Sequence, residues 1–177
     1  MKSIPSLLRS AALILLASLA SASAARSGPA WKLYSSREGR FSILMPSTPV
    51  HTKSQTAMGD VHTFDVTRKT VPDVHMVMYS DFPGDVTAEM IDPILEATVK
   101  GQSDSVSRVE NVKRIKLGRY PGREFTKTYP GDRQTRTQRT RLYLVERRLY
   151  QVKAVTLAAE ATSTEATRYF TSFRLLK

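Results

Sequence analysis

Residues 134–157 read QTRTQRTRLYLVERRLYQVKAVTL. Thr and Gln alternate with Arg136, Arg139 and Arg141 until an apolar run opens at Leu142. Apolar residues predominate from there to Leu157, broken at Glu146-Arg147-Arg148 and by Gln151 and Lys153. This pattern predicts two strands, Gln134–Val145 and Leu149–Leu157, folded back on each other. Upstream, Val109–Leu117 and Arg123–Tyr129 read as strands separated by Gly118 and Pro121-Gly122. Pro130-Gly131-Asp132 then reads as a three-residue loop, which sets Arg123 opposite Arg139 and Lys127 opposite Thr135. Downstream, Thr162–Phe173 carries Ala166, Tyr169, Phe170 and Phe173 on one stripe and reads as a closing helix.

The first half of the chain adds more strands and one longer helix. Trp31–Tyr34 and Phe41–Met45 flank a Ser-Ser-Arg-Glu-Gly turn. Val50–Met58 and Val61–Lys69 flank Gly59-Asp60, a connection with Gly first, as a type II′ hairpin requires. Val74–Phe82 follows, entered through Val71-Pro72-Asp73. In Thr87–Ser105 the apolar positions Met90, Ile91, Ile94, Leu95 and Val99 recur at helical spacing. Thr87 can cap this helix, but Asp92-Pro93 offers a second start, so a late or irregular first turn is expected. The expected fold is one α+β domain: an antiparallel sheet covered by helices, an α/β/α sandwich.

Lys2 and Arg9, the apolar run Ala11–Ala20 and the small residues Ala22-Ser23-Ala24 form a secretory signal-peptide pattern over 1–24. The expected mature domain is 25–177, exported to the periplasm or beyond the cell. The apolar run is about half the roughly 20 residues that a membrane span needs, so no transmembrane anchor is expected. The chain has no Cys, hence no disulfide framework and no thiolate metal site. Charge is uneven: residues 25–107 carry a net −2, residues 108–153 a net +10, and residues 154–177 a net +1. Such asymmetry speaks of partners rather than of fold.

Several pieces, taken in order, carry a resemblance. They are Trp31 followed by Phe41-Ser42-Ile43-Leu44-Met45-Pro46, then Pro121-Gly122-Arg123-Glu124-Phe125. Arg141-Leu142-Tyr143-Leu144-Val145 with Leu149-Tyr150-Gln151-Val152 comes next, and Tyr169-Phe170-Thr171-Ser172-Phe173-Arg174-Leu175 closes the run. The run resembles the PsbP-like superfamily, named after an extrinsic subunit of the photosynthetic oxygen-evolving complex, and especially its small secreted bacterial members. The resemblance implies a central antiparallel sheet covered by helices, and a non-enzymatic binding or assembly-factor domain. The photosystem role depends on an N-terminal arm, and only Ala25–Ala30 stand between the cleavage site and Trp31. The resemblance therefore implies fold and class rather than that role.

Catalytic signatures are sparse, and an enzyme of unrecognised type stands only as an alternative reading. Gly101-Gln102-Ser103-Asp104-Ser105 lacks the second Gly of a nucleophile elbow and sits at a helix end. Asp81/Asp85 and Glu89/Asp92 read as a loop and an exposed N-terminal helix face, where negative charge complements the dipole. His51, His62 and His75 show no recognised ligand spacing. Setting His62 beside His75 would need a hairpin centred near Arg68-Lys69, so they read as structural or surface residues. No metal and no cofactor are expected. The strongest surface feature is basic: the three-residue loop would gather Arg123, Lys127, Arg133, Arg139 and Arg141 on one sheet face, suited to carboxylate or phosphate. Export makes nucleic acid an unsuitable partner for it. The expected partners are an envelope protein or, through this face, an anionic envelope lipid or polysaccharide.

Overall fold

The computed structural model describes residues 30–56, 59–68, 73–131 and 134–177. Segment 1–24, expected to be a signal peptide, and Arg133 lie outside them. Among the described residues ten strands form two antiparallel sheets. The small sheet has the order β1-β2-β10, from Lys32–Ser36, Phe41–Met45 and Arg174–Leu175. The large one runs β3-β4-β5-β9-β8-β7-β6. Its strands are β3 Val50–Thr56, β4 Gly59–Arg68, β5 Asp73–Asp81, β6 Arg108–Leu117, β7 Tyr120–Tyr129, β8 Arg136–Val145 and β9 Arg148–Leu157. Helices α1 (Ala88–Lys100) and α2 (Thr164–Thr171) complete the described fold, with a 3-10 turn at Ala158–Glu160.

The apolar run at Leu142 now has its reason. Successive strand residues point to opposite faces, and both faces of β8 are covered, so Leu142–Val145 are buried without alternation. Leu142 and Leu144 pack with Phe125, Leu149 and Leu95 of α1. Tyr143 and Val145 face the other way, toward Phe41, Ile43 and Met45 of the small sheet and Tyr169, Phe170 and Phe173. One cover is thus a helix. The other is a small sheet with a short helix, which differs from the helix layer expected on that side. The strip β10 escaped the sequence reading because two residues carry no periodicity. It forms because Phe173 is anchored in the core, stacked 5.8 Å from Phe41 and 5.9 Å from Tyr143.

Turn positions differ from expectation in four places. Thr56 pairs with Gly59, so the β3–β4 connection is 57–58, outside the described residues, and Gly59-Asp60 lies inside β4. The Gly-first hairpin is found instead at Gly118-Arg119, where Gly118 holds φ +59° between paired Leu117 and Tyr120. Pro121-Gly122 therefore belongs to β7, and Gly122 is required there: a Cβ would stand 2.2 Å from the Leu142 carbonyl oxygen. β8 and β9 turn at Glu146-Arg147, one residue earlier than read. Tyr129 pairs with Arg136, so the β7–β8 connection has six residues, not three.

Helix α1 starts regularly at Ala88 after Thr87 and passes through Asp92-Pro93. Pro93, the sixth helical residue, lacks the N–H that would bond the Glu89 carbonyl, and it sits on an exposed face of the helix. α2 is capped by Ser163, whose Oγ accepts from the Ala166 N–H at 3.1 Å, and it buries the predicted stripe.

Candidate functional site

The observed register divides the basic residues. Arg123 lies opposite Leu142 and Lys127 opposite Gln138, both on the α1 face. Arg139 and Arg141 lie opposite Thr126 and Glu124, on the α2 face. The single basic face predicted from a three-residue loop is therefore corrected: the register shift is odd, and an odd shift exchanges faces. Each of these four has a carboxylate partner. Arg123 donates from Nη2 to Asp92 Oδ1 at 2.7 Å and to Glu96 at 3.4 Å. Lys127 meets Asp104 at 2.9 Å. Arg139 and Arg141 both bond Glu124 Oε2, at 2.9 and 2.5 Å, and both lie over the Phe170 ring.

These contacts leave their mark on the acids. The Arg123 hydrogen bond holds the Asp92 carboxyl below its usual range. Asp104 is held far lower, first by Ser107 and then by Lys127. For Glu124 burial pushes upward, yet the hydrogen bonds from Arg141 and Arg139 prevail and the carboxyl stays depressed. Across strands, Arg148 forms a two-pronged pair with Asp81, both bonds 2.6 Å. Most of these carboxylates come from the net-acidic stretch 25–107. Part of the charge asymmetry in the sequence is thus cancelled inside the molecule.

The histidines fall in two environments. His62 pairs with Tyr79 and His75 with Val66, so the two are apart, as the hairpin reading required. His75 is 2% exposed between Trp31 and Tyr169, and burial pushes its pKa down to about 4. His62 instead meets His51 of β3, with Nδ1 3.2 Å from His51 Nε2. Glu38, from the β1–β2 turn, brings Oε1 to 3.5 Å from the same Nδ1. Sequence reasoning missed this grouping: a turn at Gly59-Asp60 places His51 opposite Arg68, and the observed turn places it opposite Phe64. Four residues of register amount to about 13 Å along a strand.

On the α1 face a groove of about 400 Å³ opens between α1 and strands β4, β5 and β9. Val61, Phe82, Ile94, Ala97 and Leu149 give it an apolar lining. Gln151 also lines it, and its buried Oε1 has no hydrogen-bond partner. Two residues along the same strand, burial pushes the half-buried Lys153 ammonium down to about 8. No helix among the described residues is long and apolar enough to cross a membrane.

No family model matches the chain, and no curated protein does. Solved structures do. This α+β arrangement, seven antiparallel strands with a small sheet and two helices, is the PsbP-like fold. The chain is similar to the solution structure of cyanobacterial PsbP from a Synechocystis species, with 13% identity and TM-score 0.55, over 83% of this chain and 93% of that one. It also matches LpqN of Mycobacterium tuberculosis, described as involved in cell envelope biogenesis, with 12% identity, TM-score 0.48, and 75% and 87% of the two chains covered. A Pseudomonas aeruginosa protein of unknown function matches at 10% identity and TM-score 0.45, over 77% and 90%.

Proposed function

We propose that this chain is an exported, non-enzymatic PsbP-like accessory domain that works by binding an envelope protein, and that the groove beneath α1 receives an apolar side chain of that partner. The groove carries the reading. Its lining offers apolar contact from Val61, Phe82, Ile94, Ala97 and Leu149, with Ser80, Thr98, Gln102 and Gln151 as polar neighbours. A cleft with no titratable side chain in its lining suits recognition better than acid–base chemistry, which needs convergent titratable groups. The fold likeness to cyanobacterial PsbP supports an accessory role in the same sense. An anionic lipid or polysaccharide held by Arg123, Lys127, Arg139 and Arg141 would have to displace the carboxylates these residues already bond.

The test is capture from envelope extract at low and high salt with three baits: wild type, Ala97→Arg and Arg139→Ala/Arg141→Ala. Ala97 is exposed at the groove, so Arg there blocks the groove without disturbing the core. A partner held by wild type in high salt, lost by Ala97→Arg and kept by the double variant, supports the proposal. Retention that vanishes with salt and with the arginine pair favours the anionic ligand and overturns it. Equal capture by Ala97→Arg and wild type also overturns it.

A further inference from the structure

Three side chains from three elements converge at one end of the large sheet. Glu38 comes from the β1–β2 turn, His51 from edge strand β3 and His62 from β4. Glu38 Oε1, His51 Nε2 and His62 Nδ1 all lie within 4.8 Å of one another. A tetrahedral cation with bonds of about 2.0–2.1 Å needs neighbouring ligand atoms about 3.3 Å apart, the edge of that tetrahedron. The two separations to His62 Nδ1, 3.2 and 3.5 Å, lie on either side of that length.

An ordinary hydrogen bond between the two imidazoles accounts for less. His62 Nδ1 carries either one proton or one lone pair, so a hydrogen bond there favours His51 or Glu38, and sharing it weakens both. A cation at the centre of the three engages all of them. Two imidazole nitrogens and one carboxylate oxygen also form a donor set that zinc accepts, with the fourth position left open.

The ligands are held in place before any ion arrives. The His51 ring stacks on Phe64 at 4.2 Å and 3°, and the His62 ring on Tyr79 at 4.5 Å and 8°. The turn bearing Glu38 is pinned from below. Arg148 Nη1 donates to the Glu38 carbonyl at 2.9 Å, Tyr150 Oη to the Gly39 carbonyl at 2.7 Å, and the Gly39 N–H to Ser36 Oγ at 2.9 Å. His62 is buried, whereas Glu38 and His51 are exposed, so an ion has an entry path and its open position faces solvent.

We propose that Glu38, His51 and His62 form a divalent-cation site of the zinc class that clips the β1–β2 turn of the small sheet to the β3–β4 edge of the large one. The site does not depend on the groove or on what the groove binds.

The test titrates Zn²⁺ alone into the untagged mature chain in competition with a chromogenic chelator. One ion per chain is expected, with affinity about tenfold or more weaker in His51→Ala and in Glu38→Gln. Both changes are at exposed positions, and circular dichroism checks that the fold is kept. Two readouts separate this site from chance binding. Zn²⁺ raises the wild-type melting temperature but not that of His51→Ala. It also shifts the imidazole nitrogen resonances of His51 and His62 and leaves His75 unmoved. No stoichiometric binding by wild type, or unchanged affinity in both variants, overturns the proposal. So do ring shifts that miss His51 and His62.

Discussion

Glu124→Ala removes the one carboxylate that holds Arg139 and Arg141 together, and its cost follows from the geometry. The bonds to Glu124 Oε2 are 2.9 and 2.5 Å, and the three side chains are 16%, 18% and 14% exposed for Arg139, Arg141 and Glu124. A hydrogen bond to a charged group contributes about 1.5–3 kcal/mol. Two such bonds sharing an oxygen do not simply add, and removing one member of a buried pair costs about 3–5 kcal/mol. Phe170 retains some hold on both guanidiniums, at 4.8 and 5.3 Å from its ring centre, so the lower end applies: about 3 kcal/mol. For a chain of this size that is a melting-temperature drop of about 6–12 °C.

Urea unfolding followed by far-ultraviolet circular dichroism measures the loss. A pH series on wild type and variant adds a second check. The folded Glu124 carboxyl titrates below its ordinary value of 4.5. Its stabilisation is therefore complete above that value and disappears as pH falls through the depressed folded one, so the two proteins converge in acid. Phosphate should stabilise the variant more than wild type, because it can take the place of the missing carboxylate between two guanidiniums. A loss below about 1 kcal/mol at neutral pH, the range of an exposed surface pair, would refute the reasoning.

Three further outcomes are expected. His75, held neutral by burial with a pKa of about 4, should not titrate near 6.5 in a ring-nitrogen NMR series. Between those values the unfolded chain binds the extra proton, so wild type should lose on the order of 3 kcal/mol from pH 6.5 down to 4; His75→Phe should be flatter in this window. Gly122→Ala drives a methyl to 2.2 Å from the Leu142 carbonyl oxygen; thermal unfolding should show a loss of about 3 kcal/mol, and an unchanged midpoint would contradict the close approach. Tyr169→Phe deletes the buried hydroxyl that donates to the carbonyl of Met76 in the interior strand β5 at 2.9 Å. Denaturant titration should report about 1–2 kcal/mol, and no loss at all would mean that water replaces the hydroxyl.

Much of the fold is legible in local pattern. The stripe Ala166, Tyr169, Phe170 and Phe173 marks α2 and the core, and the spacing of Ile91, Ile94, Leu95 and Val99 marks α1 and its buried Leu95. The candidate sites are less legible, because each depends on which residues of two strands stand side by side. Gly59-Asp60 looks like a hairpin turn in isolation, yet both residues sit within β4. The observed alignment pairs Thr56 with Gly59 and stacks the His51 ring on Phe64. His51 and His62 come together only in that register. The groove is subtler still: Val61, Phe82, Ile94 and Leu149 belong to different elements, and no motif links them.

By itself the sequence determined the element types, the helical stripes and the antiparallel character of the domain, because these rest on side-chain periodicities of two and 3.6 residues within one segment. The uneven distribution of charge was equally plain. Only the tertiary structure decided what that charge does. A six-residue connection in place of three sends Arg123 and Lys127 to one face and Arg139 and Arg141 to the other, each beside a carboxylate. Local periodicity is a property of the chain near a residue. Register is a balance struck across the whole sheet, and one odd step in it turns every side chain of a strand around.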